Sequence, residues 1–124
     1  MKLIEFPAPD FSFTDERGTI TQLCHGGYSQ INAVFTKKGA VRGNMHYHRD
    51  NTEAFFIISG KAEVTVKYGD KSETYIFNAG DMFRIPPLIR HDFKYLEDTC
   101  LVGLYDGCVE NPDGTKDIYT DEEG

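Results

Sequence analysis

His46 and His48 stand two residues apart, and Glu53 follows them at the head of an apolar run, Ala54-Phe55-Phe56-Ile57-Ile58. On an extended strand, residues i and i+2 leave by the same face, so both imidazoles point one way. A carboxylate opening such a run is expensive to bury unless something positive meets it. Two imidazoles and one carboxylate at this spacing can converge on one divalent ion, and His91 offers a further nitrogen. His46, His48, Glu53 and His91 are therefore the candidate metal ligands. Such a set leaves coordination positions open for a substrate. Zinc, manganese, iron(II), nickel and copper all accept it, and geometry rather than ligand count chooses among them. The remaining histidine, His25, sits beside Gly26-Gly27 and is expected in a surface loop.

The elements that must position these groups are strands. Glu53 to Ser59 reads as one strand, ended by Gly60. Ala62, Val64, Val66 and Tyr68 then alternate with Glu63, Thr65 and Lys67, the period-two pattern of a half-buried strand. Gly69-Asp70 turns this strand into Ser72–Phe77, and Asn78-Ala79-Gly80-Asp81 turns the chain again into Met82–Ile85. His91–Tyr95 and Thr99–Tyr105 are two further short strands. Upstream, Thr19–Leu23 and Gln30–Lys37 read as strands, after a leading extended segment whose Pro7 and Pro9 block a helix. No stretch carries helical periodicity. Many short strands separated by Gly and Pro turns mean an all-β sandwich or barrel. Phe35, Phe55, Ile57, Val64, Val66, Phe77 and Phe83 are the expected core. The expected organisation is one domain over 1–124, with N-terminal strands in 1–29, a core barrel over about 30–106 and an acidic C-terminal tail in 107–124. Within that tail, 117–123 is expected to be a solvated end.

The 124 residues carry a net charge of −7, which argues against nucleic acid or an anionic membrane as partner, since both need a basic face. Three cysteines, Cys24, Cys100 and Cys108, are an odd count without close pairs and give no disulfide framework. The N-terminal residues lack the apolar run of a signal peptide. The expectation is a reduced, cytoplasmic protein.

The run His46-x-His48-x4-Glu53-x6-Gly60 resembles the first motif of the cupin superfamily, and Gly80-x5-Pro86-x4-His91 resembles the second. The resemblance implies a cupin jelly-roll β-barrel carrying the metal on the residues already named. It departs from the family pattern at Ala40, Leu88 and Tyr95, which stand in place of a leading glycine, a later glycine and a final asparagine. Asp15-Glu16-Arg17-Gly18, Arg42-Gly43 and Ile85–His91 are similar to the RmlC-like cupins, which include 3,5-epimerases and 3,4-ketoisomerases of nucleotide-linked keto sugars. Arg42-Gly43-Asn44 before His46-Tyr47-His48 is most similar to the zinc-binding C-terminal cupin domain of bifunctional capsule-sugar epimerase/reductases, with Met45 as an insertion between the two groups.

What this resemblance implies is epimerisation or ketoisomerisation of a nucleotide-linked keto sugar through an enolate. Zinc is the favoured ion, with iron, manganese or nickel as the others. Arg42, Arg84 and Arg90 are candidates to clamp a carboxylate or diphosphate. Glu53 and Tyr47 are the candidates for proton transfer; Tyr28, Tyr95 and Tyr105 are open to that role, to stacking on a sugar ring, or to filling the barrel. Two alternatives stay open: an oxygen-using cupin with iron(II) or another redox metal, and a small-molecule-binding cupin without catalysis. A homodimer is implied as well, with the edge bearing Phe6, Phe11 and Phe13 as its seam.

Overall fold

A computed structural model describes residues 2–121; Met1 and residues 122–124, including Glu122 and Glu123 of the expected solvated end, lie outside the described residues. Two four-stranded antiparallel sheets face each other. One is ordered β3(Gln30–Thr36), β10(Thr99–Tyr105), β5(Glu53–Ser59), β8(Met82–Ile85); the other is β4(Val41–His46), β9(Arg90–Tyr95), β6(Lys61–Tyr68), β7(Lys71–Asn78). The chain crosses from one sheet to the other at nearly every connection, and β6–β7 alone is a hairpin within one sheet. That is a jelly roll. A separate hairpin, β1(Phe11–Asp15) with β2(Gly18–Gln22), pairs with neither sheet. No α-helix is present among the described residues, and none there is long and apolar enough to cross a membrane.

Alternation builds the core. Ala62, Val64 and Val66 of β6 are fully buried, while Glu63, Thr65 and Lys67 between them are not. Facing them are Phe55, Ile57, Phe83, Ile85 and Leu101 from the opposite sheet. An aromatic column ties the two layers together. Phe77 and Phe83 stack with centroids 3.9 Å apart, and Phe55 joins Phe83 at 5.0 Å and Phe93 at 4.8 Å. The leading segment adds Ile4 to this core, and its main chain bridges to β8 through Glu5 and Arg84.

Two expectations are corrected here. Phe35 is 64% exposed rather than core, because β3 turns Gln30, Asn32, Val34 and Thr36 inward and Ile31, Ala33 and Phe35 outward. Phe6 touches Tyr75 and Phe77 of its own barrel yet stays 47% exposed, comparable with Phe11 and Phe13. The tail is not solvated at Asp117: that residue is buried, and the segment containing it folds back along the loop after His46. The three cysteines are free.

Candidate metal centre

The histidine pair reaches the interior through an irregular strand. β4 and β9 pair at Arg42↔Phe93 and again at His46↔His91, so three residues of β4 stand opposite one of β9. Gly43, Asn44 and Met45 absorb this excess with φ of 106°, 47° and 56°. Such a bulge re-aims side chains at a site while leaving pairing intact on both sides. It takes up the inserted Met45 and keeps Arg42 and His46 around the same cavity. A second departure from the motif is absorbed in the same manner. Leu88 holds φ 73°, the conformation a glycine adopts without strain, and its N–H donates to the His48 carbonyl at 2.7 Å.

His46, His48, Glu53 and His91 each offer a ligand atom, and these atoms all lie within 4.8 Å of one another. His46 and His91 are cross-strand partners with ring centroids 4.5 Å apart, and His48 lies 5.1 Å from the first and 5.4 Å from the second. His48, Glu53 and His91 are buried, and His46 is half-buried. Outer contacts settle how the rings are oriented. Nδ1 of His48 donates to the carbonyl of Asp117 at 2.6 Å, and Nδ1 of His91 donates to the carbonyl of Ile89 at 3.0 Å. A carbonyl only accepts, so the proton of each neutral ring is on Nδ1 and the Nε2 lone pair points inward. Both Nε2 atoms face the same carboxylate oxygen of Glu53, at 3.0 and 3.4 Å. Acceptors confronting acceptors at this range require a proton or a cation between them. A donor set of this kind, with its outer nitrogens fixed by main-chain carbonyls, fits a metal ion.

The electrostatics follow from burial and mutual charge. Burial alone pushes the Glu53 carboxyl up, but hydrogen bonds and charge from His48 and His91 in their protonated forms, with a proton on Nε2 as well as Nδ1, outweigh it and bring it down to about 2. Burial, with His91 and His48 nearby, pulls His46 down to about 4, so it is neutral at neutral pH. Burial pulls His48 down too, yet the hydrogen bond and charge of Glu53 leave it above its ordinary value. Tyr105, edge-on to His48 at 5.7 Å, is pushed well above the usual phenol range by burial and by the Glu53 carboxylate beside it.

These groups line a cavity of about 140 Å3 between the sheets. Asn32, Tyr95, Tyr105 and Gly103 form part of its wall, and the exposed Arg42 and Ile118 stand at its mouth. Arg42 donates through Nε to Thr36 at 2.8 Å. Of the other residues singled out from sequence, Tyr47 is not brought here. It alternates with His46 and His48, so its ring lies on the opposite face, stacked on Tyr119 at 5.7 Å and under the Arg90 guanidinium at 3.8 Å. Arg84 and Arg90 are also elsewhere, paired with Glu5 and Asp121. Tyr28 lines a separate surface cleft with Arg84, and His25 is exposed. Tyr105 is the group that sequence reading left undistinguished. It stands directly across from Glu53 in the β10–β5 register, a relation visible only once that pairing is known.

The structure is a two-sheet jelly roll with an apolar core and one cavity on which a small set of buried polar groups converges. The cupin-domain profile matches residues 34–104, more than half of the chain, and the chain belongs to the cupin family. No curated protein matches the sequence. Among solved structures it is similar to the 3,4-ketoisomerase QdtA from Thermoanaerobacterium thermosaccharolyticum, with 17% identity, TM-score 0.77, and coverage of 99% of this chain and 91% of that one. It is also similar to a dTDP-4-dehydrorhamnose 3,5-epimerase from Sulfolobus tokodaii, with 22% identity, TM-score 0.71, and coverage of 91% and 80%. The capsular polysaccharide assembling protein CapF from Staphylococcus aureus matches at 22% identity and TM-score 0.67, over 88% of this chain and 33% of that one. These likenesses establish a shared fold.

Proposed function

We infer that this cupin holds one divalent ion on His46, His48, Glu53 and His91 and acts on a nucleotide-linked keto sugar, moving the proton next to its carbonyl. The observation that carries the reading is the convergence of four ligand atoms, all within 4.8 Å of one another, with the outer nitrogens of His48 and His91 already taken up by main-chain carbonyls. A set of three nitrogens and one oxygen favours zinc, and accepts iron(II), manganese or nickel. Bound there, the ion supplies Lewis-acid stabilisation of the negative charge that develops on a carbonyl oxygen.

The chain's own residues divide the remaining work. Glu53, held at about 2, is a poor base and serves as the anionic ligand. Tyr105 stays protonated beside the cavity and is placed to donate a hydrogen bond to a substrate oxygen. Arg42, at the mouth, is placed to take an anionic group of the substrate. A volume of about 140 Å3 is well below the ~300 Å3 of sites that enclose drug-sized ligands. Only the reacting end of a nucleotide sugar enters, and the nucleotide lies outside past Arg42. Structural neighbours named as TDP-sugar 3,4-ketoisomerases and a 3,5-epimerase support this substrate class.

Incubation with TDP-4-keto-6-deoxyglucose in D2O, after elemental analysis of untagged protein, is the test. Deuterium is expected on the carbon beside the carbonyl. A metal-loaded protein that exchanges no proton across a panel of such sugars overturns the substrate reading. Bound iron with oxygen consumption replaces it with the oxygen-using alternative.

The partner that completes the fold is a second copy of the chain. Phe11, Phe13 and Ile20 form one exposed apolar face of the β1–β2 hairpin, and Ile31 and Phe35 are exposed on the edge strand β3. An isolated two-stranded hairpin is marginal in water, and an uncovered edge invites pairing. Light scattering after size exclusion is expected to give a dimer, and the double substitution Phe13→Glu with Ile20→Glu a monomer. A monomeric wild type removes the proposal.

A further inference from the structure

The segment after β10 runs back across the loop that joins His48 to Glu53, and one residue makes most of the contact. Asp117 is 4% exposed. Its Oδ1 accepts the Arg49 N–H at 2.7 Å; its Oδ2 accepts the N–H groups of Asp50 and Asn51, each at 3.0 Å, and the Asn51 side-chain amide at 2.8 Å. Three consecutive main-chain donors, all lying between two of the inward-facing groups, therefore end on one carboxylate. The main chain of the same residue accepts His48 Nδ1 at 2.6 Å and donates to the Val109 carbonyl at 2.7 Å. Two residues on, Tyr119 exchanges main-chain hydrogen bonds of 2.9 and 3.0 Å with Tyr47, the neighbour of His48. The side chain thus shapes the loop carrying His48 while the carbonyl fixes the ring's tautomer and direction.

We propose that Asp117 is a positioning residue for the metal centre: its carboxylate locks the 49–51 loop against the tail so that its own carbonyl holds the His48 ring with Nε2 aimed into the cavity. The proposal rests on the metal reading above. A hydrogen-bond partner on the outer nitrogen of a ligand imidazole typically sets metal affinity by 10–100-fold. Here that partner is a main-chain atom, so its placement depends on whatever anchors the tail, and the buried carboxylate is that anchor.

The test compares wild type with Asp117→Asn. Asparagine keeps the shape but turns one accepting oxygen into a donor facing other donors. Zinc affinity, measured by chelator competition, is expected to fall by ~10–100-fold in this variant. The imidazole nitrogen spectrum of the metal-free protein at alkaline pH is expected to show His48 as the Nδ1–H tautomer in wild type and as a mixture in the variant. Asp113→Asn removes the same charge from an exposed position in the tail, where the carboxylate bonds only to Thr115 among the described residues, and is expected to match wild type in both readouts. Wild-type affinity and an unchanged tautomer in Asp117→Asn overturn the proposal. So does an Nε2–H tautomer in the wild type, which is readable even if the variant does not fold. A wild type that binds no zinc or other divalent ion overturns the metal reading, and the tautomer comparison then decides the role of Asp117 by itself.

Discussion

Glu53→Gln is expected to weaken zinc binding at least ~100-fold, about 2.8 kcal/mol, while the metal-free barrel remains folded. Glutamine has nearly the shape of glutamate and supplies hydrogen bonds to buried neighbours, so the core around it is preserved. What is lost is the one negative charge facing three imidazoles. The pH dependence of the metal-free proteins separates this charge effect from a packing effect. Glu53 titrates in the folded state at about 2, against an ordinary 4.5, so its stabilisation is present above 4.5 and is lost as pH falls towards 2. His48 is shifted the opposite way, above its ordinary 6.5, so its stabilisation is present below 6.5 and is lost as pH rises through the raised value. The two windows overlap in mildly acidic solution. There the metal-free variant is expected to melt below wild type, and the gap is expected to close towards alkaline pH. Added zinc is expected to reopen it at alkaline pH by stabilising wild type alone, because an ion that binds only the folded state raises its stability in proportion to occupancy. Thermal denaturation with and without chelator across pH reads all of this. Equal zinc stabilisation of the two proteins would rule out Glu53 as a ligand.

Sequence showed the polar end of this site more readily than its supports. His46, His48 and Glu53 are near neighbours, and strand alternation is enough to aim the histidines together. The same alternation sends Tyr47 to the opposite face, so its candidacy as a proton donor fails on the rule that supported the metal set. Phe35 shows the limit of periodicity. In β3 both alternating sets carry apolar side chains, and pattern alone does not say which set faces in; pairing with β10 decides it, placing Phe35 opposite Cys100 on the outer face. Tyr105 owes its place to long-range register, standing across β10 and β5 from Glu53. Asp117 lay in a polar, acidic stretch whose composition matches a solvated tail. Nothing local distinguishes a carboxylate that will collect four N–H donors from one that will meet only water. Of the strained positions, 45 and 88 were legible only as departures from a motif, and Asn44 gave no sign of it. At all three the backbone adopts left-handed conformations at non-glycine residues, each a strain of ~1–3 kcal/mol.

Gly60→Ala is expected to cost about 2–5 kcal/mol of folding stability, a large share of the ~5–15 kcal/mol typical of a domain. Gly60 is the corner between β5 and β6, where the chain leaves one sheet for the other. Its φ is 100°, outside the range that L-residues adopt freely. A Cβ placed there would lie 2.4 Å from Thr99 Oγ1, 2.5 Å from the Asp98 carbonyl oxygen and 2.6 Å from Thr99 Cα. Two of those atoms are main chain and cannot swing aside. The neighbours that would have to move are themselves tied down. Thr99 Oγ1 accepts the Lys61 N–H at 3.1 Å and donates to the Glu97 carbonyl at 2.8 Å, and the Lys61 carbonyl accepts the Leu96 N–H at 2.9 Å. The turn from β9 to β10 makes the opposite crossing between the same two sheets, so the clash falls where two crossings lean on each other. Against this, alanine narrows the unfolded ensemble and returns only ~0.4–1 kcal/mol. Backbone strain and overpacking therefore dominate, and the sign is destabilising. Urea denaturation reads the change as a lower midpoint at unchanged slope. A loss below ~1 kcal/mol would mean that the β5–β6 and β9–β10 corners separate easily, and that the barrel is closed by its aromatic column rather than by this contact.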